Sequence, residues 1–467
     1  MDEIISASAT ALARAIRDRQ VSSEEVVDAC LRRVKAVNPQ LNAVVQEVAD
    51  GALEQARKAD AALARGELMG PLHGVPMTVK DTLDTAGVIT TAGTLGRAAF
   101  VPGEDAVAVA RMRAAGAILI GKTNVPELAL APETDNMVYG CTNNPYDLSR
   151  SPGGSSGGEA SIIAAGGSPL GLGSDCGGSI RAPAHFCGIA GIKPTAGLVP
   201  RTGHFPPVAG LMNRLWHVGP LSRSVEDLIL ALRVISGVDG RDPVLVPMSL
   251  GDPDLVALKG LRVAFYTDNG ILSPTPETAE VVKKAVEVLS QAVAHVDEDR
   301  PEGIEQTYDI WWALASADRG AGVEALLKTA GTTEPHRYLK RFQEAQSASR
   351  AMTPAEFGAL ISTWDMFCAA MVRFIERYDA IICPVVAFPA QHHGFIQEKE
   401  KDLGFSYCFT YNLTGWPAAV VRGGTSPEGL PIGVQVVARP WREDIALAAA
   451  QAIETALGGW QPPPPRC

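Results

Sequence analysis

Three residues of this 467-residue chain could together do chemistry that none could do alone: Lys80, Ser155 and Ser179. Ser155 sits in Gly153-Gly154-Ser155-Ser156-Gly157-Gly158, and Ser179 follows 24 positions later in Asp175-Cys176-Gly177-Gly178-Ser179-Ile180-Arg181. A serine hydroxyl is a weak nucleophile until a base removes its proton. None of the eight histidines stands in a recognisable triad context, which leaves Lys80 as the candidate base. It ends the apolar stretch Pro76-Met77-Thr78-Val79, where burial lowers an amine's pKa. Moving it from about 10.4 to near neutrality takes about 4 kcal/mol, which desolvation can supply. A proton would then leave Ser179 through Ser155 to the amine, an arrangement able to attack unactivated carbonyls such as amides. The plainer reading of Lys80 is a surface lysine paired with Asp81.

Each serine block has a plainer reading too. Residues 153–158 could be a flexible Gly/Ser linker, but they run into Glu159-Ala160-Ser161-Ile162-Ile163-Ala164-Ala165, an apolar helical stretch. Residues 170–186 read as strand, glycine turn and helix start. Such a turn would leave the N–H groups of Cys176, Gly177, Gly178 and Ser179 pointing outward, as an oxyanion hole requires. A simple helix cap by Ser179 fits the same sequence. Two pattern matches compete. Gly116-Ala117-Ile118-Leu119-Ile120-Gly121-Lys122-Thr123 fits the P-loop expression and makes a nucleotide-binding protein the alternative of another class. Its four middle residues are all apolar and read as strand instead. Gly153-Gly154-Ser155-Ser156-Gly157 fits the nucleophile elbow of α/β-hydrolases. That elbow needs a buried strand ahead of it and a downstream histidine such as His392 or His393, whereas residues 143–152 are turn sequence.

The elements that must hold these residues follow from periodicity and punctuation. A capping box, Ser22 to Glu25, opens a helix over 26–37 that Pro39 is expected to stop. Strands are predicted at 76–79 and 117–120, with a helix at 105–115 between them. Helices at 225–235 and 276–293 flank a strand at 261–266. Residues 300–375 are helix-rich, and the chain returns to strands at 380–383, 418–421 and 432–437 before a last helix from Glu443. This is an α/β pattern in which a C-terminal segment returns to close one sheet. No internal repeat is present.

Composition narrows the partners. Hydrophobic residues make up 46% and charged residues 20%, enough to bury a sizeable core. A net charge of −11 without a Lys/Arg cluster argues against nucleic acid. The eight cysteines show no CxxC and read as reduced core residues of a cytoplasmic protein. The acidic start, Met1-Asp2-Glu3, is unlike a signal peptide, and no window of about 20 uninterrupted apolar residues suggests a membrane span.

Residues 153–158, 175–181 and the run Phe186-Cys187-Gly188-Ile189-Ala190-Gly191-Ile192-Lys193-Pro194-Thr195 resemble the amidase signature family. Gly74-Val75-Pro76 before Lys80, Gly121-Lys122-Thr123-Asn124 with Glu127, Asn412-Leu413-Thr414-Gly415 and Gly429-Leu430-Pro431-Ile432-Gly433 extend the likeness over about 8–457. The resemblance implies one α/β/α sandwich domain over 1–467 around a large twisted mixed sheet; residues 136–141, 200–216 and the helix-rich 300–375 are expected to shape the substrate pocket. It implies Ser179 as nucleophile, Ser155 as a bridging serine behind a cis peptide after Gly154, and Lys80 as terminal base. Ser156, Asp175 and Arg181 would brace the loop, and neither metal nor organic cofactor is implied.

The substrate expected is a small amide, an aryl amide or anilide, or a carbamate, cleaved through an acyl-enzyme by a monomer or homodimer. Gly154, with Met137, Phe205, Leu211, Trp216, Trp311 and Trp312, would contribute pocket surface. One branch of the family is the glutaminase subunit of a tRNA-dependent amidotransferase. Ala182 stands where that branch commonly has glutamine, and the chain shows no docking tail, which favours a stand-alone hydrolase.

Overall fold

The computed structural model describes residues 3–207 and 214–464. Eleven strands form one sheet: β1 (Val44–Glu47), β2 (Pro76–Lys80), β3 (Ile118–Thr123), β4 (Leu170–Asp175), β5 (Ala190–Lys193), β6 (His217–Ser222), β7 (Arg262–Phe265), β8 (His295–Glu298), β9 (Ala380–Pro384), β10 (Ala418–Thr425) and β11 (Pro431–Ala438). Their order is β1-β3-β2-β4-β6-β5-β10-β11-β9-β7-β8. β2 runs parallel to both β3 and β4, while β4, β6, β5, β10, β11 and β9 alternate in direction. The sheet is therefore mixed, and the last strands in sequence sit inside it rather than at an edge.

Side chains alternate across a strand, so a sheet buried on both faces feeds two cores. Ala380 and Ile382 of β9 and Ala419 and Val421 of β10 join one core, while Ile381, Cys383, Ala418 and Val420 join the other. Helices Val225–Ile235, Pro276–Ser290 and Glu443–Leu457 cover the first face. Helices Arg181–Cys187, Pro354–Ile375 and Ser406–Leu413 cover the second. This is the expected α/β/α arrangement. Pro354–Ile375 is long and apolar enough to cross a membrane by length and composition, yet its Trp364, Phe367, Met371, Phe374 and Ile375 pack into the second core.

Two departures from the sequence reading have local causes. Pro39 does not stop the first long helix, which runs Ser23–Leu41 and ends on Asn42 in the left-handed region. Pro39 has no N–H to give the preceding turn, and the helix end is anchored instead by the Asn38 carboxamide, which receives the N–H groups of Ala43 and Val44, both at 2.8 Å. Strand β6, which carries Gly219 and Pro220, is not among the predicted strands. β5 pairs only with Leu221 and Ser222 of it, so Pro220 breaks no ladder on that side.

Candidate active site

Lys80 is the last residue of β2, and its amine is completely buried. It faces Ser155 Oγ at 2.7 Å, Ser174 Oγ at 3.0 Å and the Ser174 carbonyl at 3.2 Å. Burial pulls its pKa down to about 7, against the opposing pull of Asp175 and Glu159. Asp81 is no partner for it. The strand alternation turns that carboxylate the other way, toward Lys122 at 3.8 Å and the Thr91 N–H at 3.0 Å. The reading of Lys80 as an exposed ion pair is thereby excluded.

Ser155 follows a cis Gly154–Ser155 peptide and precedes helix Gly157–Ala164. Ser156 N–H donates to the Ser179 carbonyl at 3.1 Å, and its hydroxyl to the Ser174 carbonyl at 3.3 Å. These two bonds tie the segment bearing Ser155 to the loop bearing Ser179. Among the described residues the Ser155 hydroxyl is bonded only to Lys80, so no hydrogen bond joins it to Ser179. Ser179 itself is half-buried and opens into the cavity.

The loop between β4 and helix Arg181–Cys187 is built on one carboxylate. Asp175 accepts the N–H groups of Gly178 (2.8 Å) and Ile180 (3.1 Å), and a two-pronged contact from Arg181 at 2.9 and 3.0 Å. Burial alone would raise its pKa, but Arg181 and Asn412 hold it well below the usual carboxylate range. Arg181 is also fully buried and reaches Gln435, Asn412 and the Cys408 carbonyl. The expectation of four outward N–H groups is corrected here: that of Gly178 turns inward to Asp175, leaving those of Cys176, Gly177 and Ser179. Gly178 has φ +107°, and a Cβ there would meet Cys408 at 2.8 Å. Ser179 does not cap the helix, whose N-cap, Ile180, makes no side-chain capping bond.

Ser174 and His204 were not singled out by the sequence. The His204 ring is buried, with Nδ1 2.9 Å from the Pro206 carbonyl and Nε2 2.9 Å from Ser174 Oγ. Burial drives its pKa down to about 3, so the ring is neutral. Nδ1–H then donates to Pro206, and Nε2 accepts the Ser174 proton. Ser174 Oγ is thus left as an acceptor toward Lys80.

The competing patterns find no support in the geometry. Lys122 is completely buried and donates to the Leu83 carbonyl (2.5 Å), Thr85 (3.0 Å) and Thr90 (2.9 Å). The segment 116–123 is a turn and strand β3, with no cradle for a phosphate. His392 faces Ser149, and His393 faces Glu133, Cys141 and Leu148, so neither serves Ser155 as an elbow would require.

Ser179, Gly154, Cys176 and Gly177 open onto a cavity of about 1400 Å³ walled by Trp216, Trp311, Trp312, Tyr308, Phe405 and Phe409. Trp311 stacks on Phe409 with centroids 4.2 Å apart and planes 6° from parallel. A Cβ on Gly177 would meet that Phe409 ring at 2.9 Å, so the glycine lets the aromatic wall approach the loop. Met137 and Phe205 do not line the cavity. Met137 is 44% exposed, and Phe205 packs under the Arg97 guanidinium at 3.9 Å. Leu211 lies outside the described residues.

Comparison with known proteins agrees with this architecture. The amidase family model matches residues 25–447. An acylamidase of Rhodococcus erythropolis is 33% identical, the match covering 96% of this chain and 94% of the relative. A glutamyl-tRNA(Gln) amidotransferase subunit of Heliobacterium modesticaldum is also 33% identical, over 94% of each. A substrate complex of 6-aminohexanoate cyclic dimer hydrolase superposes with a TM-score of 0.86 at 28% identity, covering 99% of both chains.

Proposed function

The chain belongs to the amidase signature family, whose members hydrolyse C–N amide bonds, and we propose that it cleaves bulky aryl amides, anilides or carbamates by a Ser179–Ser155–Lys80 relay. The observation that carries this reading is the buried amine of Lys80, 2.7 Å from the Ser155 hydroxyl and titrating near neutrality. A neutral lysine has two N–H groups and one lone pair. Ser174 Oγ and the Ser174 carbonyl accept the two N–H groups, so the lone pair is turned to the Ser155 proton.

Substrate entry closes the remaining leg between the two hydroxyls. Ser179 gives its proton to Ser155 as Ser155 gives one to Lys80, and Ser179 Oγ bonds to the carbonyl carbon. The N–H groups of Cys176, Gly177 and Ser179 are the donors offered to the developing oxyanion. Lysine then returns the proton along the same path to the departing nitrogen, the C–N bond breaks, and water hydrolyses the acyl-Ser179 ester. The aromatic walls suit a flat apolar group more than the polar side chain of glutamine, which favours hydrolysis over service within an amidotransferase complex. On this reading the chain is one domain, since a single sheet takes strands from residues 44 to 438. It works in the cytoplasm, in keeping with cysteines that form no disulfide among the described residues.

The test is a panel of anilide, primary amide, carbamate and ester substrates against wild type, Lys80→Ala and Ser179→Ala, with intact-mass detection of the acyl-enzyme. Both variants are expected to lose at least about a thousandfold on amides, and the acyl mass is expected on Ser179. Acylation at another residue, or an active Lys80→Ala, would overturn the relay. Glutamine-dependent ammonia transfer in a co-purifying complex would favour the amidotransferase reading.

A further inference from the structure

Outside the cavity, a second group of reactive side chains converges from three distant parts of the chain. Cys141 Sγ lies 3.3 Å from His393 Nδ1, which lies 3.3 Å from Glu133 Oε1. The ligating atoms of all three fall within 4.8 Å of one another. None of the three has a part in the proposed relay.

The polarity of this cluster calls for a proton or a cation among its members. His393 Nε2 is 3.3 Å from the Leu148 carbonyl, so in the neutral ring that nitrogen carries the proton. Its Nδ1 lone pair then points at a carboxylate oxygen and a sulfur, two further electron-rich atoms. A proton or a metal ion must therefore lie between them. Glu133 is 1% exposed, and its Oε2 has no hydrogen-bond partner among the described residues. Its Oε1 already receives the Gly394 N–H at 2.8 Å. A buried carboxylate oxygen left without a partner costs free energy unless a proton donor or cation meets it.

We propose that Cys141 Sγ, His393 Nδ1 and the Glu133 carboxylate form a site for one zinc ion. Tetrahedral zinc with bonds of about 2.3 Å to sulfur and about 2.0–2.1 Å to nitrogen and oxygen has S···N edges of about 3.5 Å and N···O edges of about 3.3 Å. The Sγ···Nδ1 and Nδ1···Oε1 separations, both 3.3 Å, match those edges with little movement. A thiolate and a carboxylate supply two negative charges to a divalent ion, and the mixed sulfur and nitrogen set prefers zinc over magnesium or calcium. The Leu148 carbonyl fixes the ring tautomer from behind, as second partners of metal-bound histidines do. In the metal-free protein the imidazole takes a proton instead. Burial opposes that charge, but Cys141 and Glu133 outweigh it and push its pKa up to about 10.

The site clasps the segment under the cis peptide. Glu133 follows Ala131 and Pro132, which line the cavity, and Thr134 donates to the Gly153 carbonyl at 2.8 Å. A bound ion would therefore hold the floor on which Gly153 and Gly154 rest, acting on stability and not on the acyl chemistry.

The full chain, stripped with chelator and titrated with cobalt(II), tests this whatever the reaction proves to be. One equivalent is expected to give thiolate-to-cobalt charge-transfer absorption and tetrahedral ligand-field bands, both removed by zinc. Cys141→Ser is expected to abolish the charge-transfer band, and Cys141→Ser and His393→Ala each to weaken zinc binding at least about a hundredfold. Zinc should raise the melting temperature of wild type only. Circular dichroism melts of the metal-free variants verify folding, since both residues are half-exposed. Absence of the thiolate band in wild type, or unchanged zinc affinity in Cys141→Ser, would overturn the site.

Discussion

The imidazole of His204 decides which way the Ser174 hydroxyl points. Its Nε2 stands 2.9 Å from Ser174 Oγ, and with Nδ1–H committed to the Pro206 carbonyl only the unprotonated nitrogen faces the serine. Ser174 must therefore donate away from Lys80. Were it free to turn, its proton could occupy the lone pair that Ser155 needs.

Replacing His204 by phenylalanine frees that hydroxyl. We expect kcat to fall about tenfold while KM changes by less than about twofold, the signature of an interaction that acts on the chemical step. His204→Gln, which can still accept through Oε1, should recover most of the loss. His204 also leans on Trp216 of the cavity wall, at 4.8 Å, so the glutamine variant separates hydrogen bonding from packing. An unchanged kcat in the phenylalanine variant would remove the role.

The pH dependence follows from the sign of the Lys80 shift. The base works neutral, so kcat/KM should be flat above pH about 7 and fall tenfold per unit below it. Glu159 is buried, accepts from Thr78 and Thr123, and pulls the lysine pKa upward. Glu159→Gln should therefore move the inflection to lower pH. A profile without an inflection between pH 5 and 9, or one that Glu159→Gln moves upward, contradicts the assignment.

Arg181 and Asp175 form a pair with neither side chain exposed to solvent. Arg181→Met leaves the Asp175 charge buried without its cation, and such losses cost about 3–5 kcal/mol. Urea unfolding should report a loss of that size together with a weaker oxyanion loop, seen as lower kcat. A midpoint within experimental error of wild type would show that Asn412 and the loop N–H groups suffice alone.

Much of this was legible in the residues. Lys80 stood out because an apolar strand ends on it, and the serines because glycine surrounds them where a linker would not turn apolar. Ser174 gave no signal, being one small residue at the end of a strand that alternates leucine with glycine. His204 reaches it only because the chain after Gly203 pairs back on Leu83 through an isolated bridge, a long-range contact that no local period encodes. Gly178 was misjudged because the nearest acceptor for its N–H is a side chain three residues earlier. Phe205 was misjudged because the Arg97 guanidinium offers its ring a better partner than the cavity does. Cys141, read as core, meets His393 across most of the chain.

The stacked pair Trp311 and Phe409 should set substrate size. Trp311→Ala is expected to cost about tenfold in kcat/KM for anilides with aromatic acyl groups, in line with the worth of an aromatic contact plus its buried area. Short aliphatic amides should change by less than about threefold. Equal losses on both classes would mean that the ring supports the Gly177 loop instead of the substrate.

Lys80 and Ser174 lie on neighbouring strands, β2 and β4, which are laddered directly at Thr78–Gly171 and Val79–Leu172. The spacing between base and acceptor is thus inherited from the lattice of the sheet and not from any hinge. Warming should accordingly extinguish turnover and melt the molecule at one and the same temperature, with no earlier, folded but idle stage in between.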